Sequence, residues 1–375
     1  MNKEQEFLKA IKKNNFQFIT GVPDSLFKNI CLKLENKFKF NKHVVASNEG
    51  SSIGLAIGNY LATGKVPFVY LQNSGIGNIY NPLVSLADEK VYKIPILLFI
   101  GWRGEILRGK QIKDEPQHTK QGKITEKTLK LLGIKYKILN SSSNLSLEIK
   151  KMKKLAIKNS CPTALLIRKR IFSSSQISLN KKTNLTFNRE KALKKVFEVL
   201  PNKFPKISTT GMLSRELNEL NIKNKCEKNS FLTVGGMGHA ISIATGIALS
   251  KPKKKIICLD GDGAMLMHMG SSATSAQLNN ILHILFNNNC HDSVGGQKTS
   301  SDKVNFLKIA KGFGYKNIYS LSNTKMIGKT LKKALKKKTN TFIEIKCTVG
   351  HRENLTRPKN SPQYNKKIFM EFLKK

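Results

Sequence analysis

The sequence has 375 residues, enough for two domains of ordinary size, each with its own core. Its formal charge of +42 arises from 66 Lys and Arg against 24 Asp and Glu. The excess is almost all lysine spread along the chain, without an arginine-rich arm or zinc-finger spacing, so it reads as solvated faces that favour small anions; a basic polyanion-binding protein is the alternative from another class.

The N-terminus, MNKEQEFLKAIKKNN, reads as a charged amphipathic helix rather than a signal peptide. Strands are then expected at 16–20, 43–46, 66–71, 94–100 and 163–167. Each is apolar on both faces, as in the central strands of a covered parallel sheet. The polar, aperiodic stretch 172–189, FSSSQISLNKKTNLTFNR, is the expected linker between a first domain at 1–171 and a second at 190–375. A second alternating series puts strands at 206–209, 231–234, 256–259, 281–286 and 342–347. The six cysteines are scattered with no CxxC pair, and no apolar run approaches the ~18 residues of a membrane span. A cytoplasmic protein with neither nucleic-acid nor membrane partner is the expectation.

The strand at 256–259 stops at Asp260-Gly261-Asp262-Gly263, and the strand at 281–286 stops at Asn287-Asn288-Asn289. A helix-length segment separates them, so they are expected to be parallel neighbours with both polar clusters at one carboxyl edge. That suits a hard cation holding a diphosphate, because Mg²⁺ takes one or two protein carboxylates beside phosphate oxygens and water. Asp262 and the Asn288 side-chain carbonyl offer two such oxygens. Gly261 and Gly263 let the backbone approach the phosphates, and the following helix N-terminus offers free N–H groups.

GDG followed at this interval by tandem Asn resembles the cofactor signature of thiamine diphosphate enzymes. The blocks GVPDSLF (21–27), SNEG (47–50), YLQNSGIGN (70–78), GWRGE (101–105), DEPQHTKQG (114–122), STTGMLSREL (208–217), FLTVGGMGHA (231–240) and HDSVGGQ (291–297), in that order, resemble the phosphonopyruvate decarboxylase family. Sulfopyruvate decarboxylase is the close relative. The resemblance implies an α/β chain of two thiamine diphosphate-binding domains, each a mainly parallel sheet flanked by helices, with no middle domain. It implies thiamine diphosphate and Mg²⁺ as cofactors and a small anionic 2-oxoacid as substrate. The implied reaction takes 3-phosphonopyruvate to phosphonoacetaldehyde and CO₂ in phosphonate biosynthesis; sulfopyruvate or another 2-oxoacid is the alternative within the superfamily.

Residue by residue, the resemblance gives Glu49 the contact with N1′ of the aminopyrimidine, and Asp24 substrate orientation or proton relay. The Gly235 carbonyl accepts from the 4′-amino group, Gly236 shapes the same turn, and Met237 lies beneath the two rings. Gly261, Gly263 and Ala264 approach the diphosphate, while Asp262, Asn288 and the Cys290 carbonyl hold the metal. Arg103, His118, His291 and Ser293 stand in matched blocks as candidates for the phosphonate. A homodimer or higher homo-oligomer is implied, with Glu49 of one copy meeting Asp262 of another.

Overall fold

The computed structural model describes residues 2–172, 185 and 187–374, and the chain divides into two compact units, 1–178 and 179–375. The expected linker, 172–189, lies for the most part outside the described residues.

The first unit contains β1 (Ile19–Gly21), β2 (His43–Val45), β3 (Phe68–Gln72), β4 (Leu97–Gly101), a hairpin of β5 (Ile106–Leu107) and β6 (Lys110–Gln111), then β7 (Lys135–Leu139) and β8 (Thr163–Ile167). Six of these form one parallel sheet in the order β2-β1-β3-β4-β8-β7. Successive side chains of a strand point to opposite faces, and here both faces are covered. Phe68 and Tyr70 of β3 enter one apolar layer with Phe7, Phe99 and Ile149, whereas Val69 and Leu71 enter the other with Ile53, Ile79 and Ile100. That is why the strand reads as an unbroken apolar run. The covering helices start on sequence cues: Asn2 caps Lys3–Lys13 by accepting from Gln5 N–H, and Asn48 caps Glu49–Thr63 by accepting from Ser51 N–H.

The second unit contains β9 (Lys206–Ser208), β10 (Ser230–Leu232), β11 (Ile256–Gly261), β12 (Ile281–Asn287), a hairpin of β13 (Cys290–His291) and β14 (Gln297–Lys298), then β15 (Asn317–Leu321) and β16 (Thr341–Lys346). Its parallel sheet runs β10-β9-β11-β12-β16-β15, the same winding as in the first unit. Ile257 and Leu259 face one layer with Leu193 and Leu217; Ile256 and Cys258 face another with Ala244 and Ala248.

β7 and β15 are absent from the sequence reading. Both are outermost strands, and the lysines of Lys135-Tyr136-Lys137 and the half-exposed residues of Asn317-Ile318-Tyr319 break the apolar run by which the inner strands were found.

In both sheets the winding reverses direction beside the first strand, between β1 and β3 and between β9 and β11. Ligands of open parallel sheets bind in the crevice above the carboxyl ends at such a point. Gly21 and Gln72 end the strands there in one unit, Ser208 and Gly261 in the other.

Candidate cofactor site and family

The crevice of the second unit is built from the end of β11. Asp260, fully buried, accepts from Gly261 N–H at 2.9 Å and lies 3.3 Å from His283 Nε2, which anchors the turn from behind. Asp262 follows at the start of the helix Asp262–Met267, only 2% exposed. Its Oδ2 accepts from Thr299 Oγ1 at 2.5 Å and Ser301 Oγ at 2.7 Å. Burial pushes the Asp262 carboxyl up to about 6, against the pull of those hydroxyls. Asn289 takes a left-handed backbone, φ 56°, just beyond the end of β12, a conformation Asn tolerates better than most residues.

Asn288 donates from Nδ2 to Asp292 Oδ2 at 2.7 Å, and its Oδ1 lies 3.2 Å from Cys290 N–H. Asp292 is itself held by Arg189 Nη1 at 2.6 Å, and Arg189 spreads its other nitrogens over Glu216 at 2.8 and 2.9 Å. Glu216, Asp292, Asp262 and Arg189 are all buried and all bear on the Cys347 thiol. Glu216 and Asp292 thus share the Arg189 guanidinium, whereas the Asp262 carboxyl is met by hydroxyls alone.

Around this cluster the packing leaves room only for bare backbone. A β-carbon on Gly263 would lie 2.8 Å from His291 Cε1, and one on Gly238 would lie 2.7 Å from His268 Cδ2 and 2.9 Å from the Ala264 carbonyl. The turn Gly235-Gly236-Met237-Gly238 is thus pressed against the GDG helix, with φ +61° and +88° at Gly236 and Gly238. Gly261 differs: a β-carbon there would meet nothing nearer than Thr209 Cγ2 at 3.9 Å, so its backbone faces open space. Beside it, Ser208 Oγ and Thr209 Oγ1 are buried and, among the described residues, have no hydrogen-bond partner.

In the first unit, Glu49 is the first residue of its helix and 6% exposed. Its Oε2 accepts from Asn78 Nδ2 at 2.7 Å, and a β-carbon on Gly75 would lie 2.5 Å from the carboxyl. Asp24 follows β1 and is fully buried; its Oδ1 accepts from Gln72 Nε2 at 2.7 Å, while Oδ2 is unpartnered among the described residues and lies against Gly101. Burial raises the Asp24 pKa, with Gln72 and Arg103 opposing. Arg103 is committed to Asp114 through Nε at 2.7 Å and through Nη2, and to Ser25 through Nη1 at 2.9 Å. His118 and His291 are buried, and burial depresses each to about 4. Both are neutral at pH 7. Ser293 is exposed.

Residues 1–129 match the family model for the N-terminal TPP-binding domain of thiamine pyrophosphate enzymes, and 209–345 match that for the C-terminal TPP-binding domain. The chain is 33% identical to sulfopyruvate decarboxylase subunit beta of Methanocaldococcus jannaschii over 49% of this chain and 95% of that subunit. The chain belongs to the thiamine diphosphate-dependent 2-oxoacid decarboxylases. Within this family it is 28% identical to phosphonopyruvate decarboxylase of Streptomyces hygroscopicus over 94% of this chain and 90% of the relative. It is also 23% identical to sulfopyruvate decarboxylase of Methanosarcina acetivorans over 100% and 98%.

The residues present suit a family cofactor. The buried, unpartnered Ser208 hydroxyl provides a donor, and Gly261, lacking a side chain, leaves room for phosphate oxygens. The buried Asp262 carboxyl and the Asn288 side-chain carbonyl are oxygen donors of the kind a hard divalent cation takes. Sequence reasoning brought together Asp262, Asn288 and Cys290 but missed what holds them: Thr299, Ser301, Asp292 and Arg189. It also missed Asn78. Thr299 and Ser301 lie two and four residues beyond the matched block HDSVGGQ, and Asn78 closes the block YLQNSGIGN, so the signal was position rather than residue type. No helix of the described residues is long and apolar enough to cross a membrane.

Proposed function

We propose that the protein decarboxylates 3-phosphonopyruvate to phosphonoacetaldehyde and CO₂, using thiamine diphosphate and Mg²⁺, as a step of phosphonate biosynthesis. The observation that carries the substrate is the end-to-end likeness to the Streptomyces phosphonopyruvate decarboxylase. Sulfopyruvate is the second reading, favoured by the Methanosarcina relative that also spans the whole chain.

Bound thiamine diphosphate supplies a carbon nucleophile for the substrate ketone and takes up the electrons released as CO₂ leaves. Asp262, Asn288 Oδ1 and the Cys290 carbonyl hold the cation that fixes the diphosphate. Gly261, Gly263, Ala264 and the free hydroxyl of Ser208 would surround its oxygens. Gly235, Gly236 and Met237, in the turn beside the GDG helix, would hold the aminopyrimidine end. Glu49 holds a proton at N1′ of that ring, oriented by Asn78 and confined by Gly75. Asp24 shares a buried hydrogen bond with Gln72 and serves as the proton store nearest the substrate.

The protein works as a homo-oligomer, with the cofactor served by Glu49 of one copy and Asp262 of another. Release of CO₂ from phosphonopyruvate and from sulfopyruvate, each with and without cofactor and Mg²⁺, tests the reading. A higher kcat/KM for sulfopyruvate would transfer the assignment to the second substrate, and no cofactor-dependent release from either would end both.

A further inference from the structure

Resting on the proposed reaction, one question concerns what meets the second negative group of the substrate, the phosphonate or sulfonate at the far carbon. Of the eight arginines in the sequence, those sheltered from water are matched to carboxylates with one exception. Arg103 pairs with Asp114, Arg168 with Glu105, Arg189 with Glu216 and Asp292, and Arg352 with Glu190 and Glu219. Arg108, Arg170 and Arg357 are exposed.

Arg215 is the exception. It is half-buried, yet among the described residues its guanidinium has no carboxylate or hydrogen-bond partner. Burial alone lowers its pKa, and no neighbouring acid restores it. A cation drawn out of water without a counter-ion is costly, and the cost is relieved when an anion arrives.

Its position says which anion. Arg215 stands in the first turn of the helix Met212–Lys223, whose N-terminus follows the carboxyl end of β9 at the crevice that also holds the GDG turn. One observation besides the helix end points to a ligand there: the Thr209 hydroxyl is buried and, among the described residues, unpartnered. Ser293, exposed, stands at the same edge, where a β-carbon on Gly211 would lie 3.3 Å from its Oγ. We infer that Arg215 is the substrate-binding arginine, holding the phosphonate or sulfonate of the 2-oxoacid, with Ser293 as a hydroxyl donor at the same edge. Arg103, already doubly bonded to Asp114, is left to shape the other unit's crevice.

The test uses the full chain loaded with thiamine diphosphate and Mg²⁺, in about 0.15 M salt to screen the diffuse lysine field. Phosphonoacetate, which has the two anionic groups but no ketone, is titrated calorimetrically, with sulfoacetate and acetate as further arms. Arg215→Met is expected to weaken phosphonoacetate about ten- to a hundredfold and acetate hardly at all. Arg215→Lys should recover part of the loss, and Arg170→Met, an exposed-site control, should bind as wild type does. In turnover, Arg215→Met should raise KM for the anionic substrate far more than it lowers kcat. A similar loss with sulfoacetate would place either anion at this arginine. Unchanged phosphonoacetate binding in Arg215→Met, or a wild type that binds phosphonoacetate no better than acetate, would overturn the inference. Arg215-dependent phosphonoacetate binding without decarboxylation of either 2-oxoacid would instead leave the anion site standing and sink the proposed reaction.

Discussion

Asn78 donates its side-chain N–H to Glu49 Oε2 at 2.7 Å, on a carboxyl that Gly75 confines from the other side. In the proposed role of holding a proton at one ring nitrogen, Glu49 needs that orientation more than it needs affinity. Asn78→Ala is therefore expected to lower kcat by about ten- to a hundredfold while shifting the cofactor concentration for half-activity much less. Glu49→Gln should abolish nearly all turnover. Steady-state rates across a cofactor titration separate the two effects, and an Asn78→Ala enzyme with wild-type kcat would show that the amide only fills space.

Arg189 and Asp292 stand behind Asn288, one of the proposed metal ligands. Removing the guanidinium in Arg189→Met strands Glu216 and Asp292 as buried carboxyl groups, and the expected loss is about 3–5 kcal/mol of stability. Asp292→Asn is gentler. It keeps a partner for Asn288 but removes one negative charge, and the Mg²⁺ needed for half-activity should rise about ten- to a hundredfold with kcat at saturating metal little changed. Chemical denaturation checks the first outcome and an Mg²⁺ titration the second.

A cofactor shared between copies predicts complementation. Glu49→Gln and Asp262→Ala proteins should each be inactive, and mixing them under conditions that let subunits exchange should restore about a quarter of wild-type turnover, as random pairing of two such variants in a dimer gives. Silence in the mixture, with exchange shown by mass, would mean that both residues come from one chain.

His43 offers a readout of folding alone. It is 5% exposed, its Nε2 lies 2.9 Å from the Tyr70 hydroxyl, and burial lowers its pKa from 6.5 to about 4. The folded state thus disfavours the imidazolium. Its contribution is complete above pH 6.5 and is lost as pH falls toward 4, because only the unfolded chain takes up the proton in that window. The expected loss is about 3–4 kcal/mol at most. His43→Gln should flatten stability against pH by about one proton between those values. An unchanged slope in urea titrations at several pH values would show that the histidine stays neutral for another reason or not at all.

What the sequence made legible was whatever is apolar on both faces or tied to a motif. The inner strand at Thr163–Ile167 was read to the residue, whereas the outermost strands at Lys135–Leu139 and Asn317–Leu321 were not, because half of each faces away from the core. Asp262 and Asn288 were found because strand ends and spacing announce them. Arg103 illustrates the limit: a matched block shows that an arginine is present, but its charge is available only if no carboxyl has claimed it, and Asp114 has. Arg215, inside another matched block, carried no mark in the sequence that distinguished it from the rest. Only the absence of a partner in three dimensions did.

The identical winding of the two sheets, b-a-c-d-f-e in strand rank in each half, gives the chain two mouths of one shape. Under the proposed function they differ in content: the first carries Asp24, Gln72, Glu49 and Asn78, groups that can hold or orient a proton, while the second carries Asp262 and Asn288, which would bind a cation, and Thr209 and Arg215, which would meet anionic oxygens. Neither inventory can substitute for the other, so inherited damage to one mouth has no spare copy in the same polypeptide.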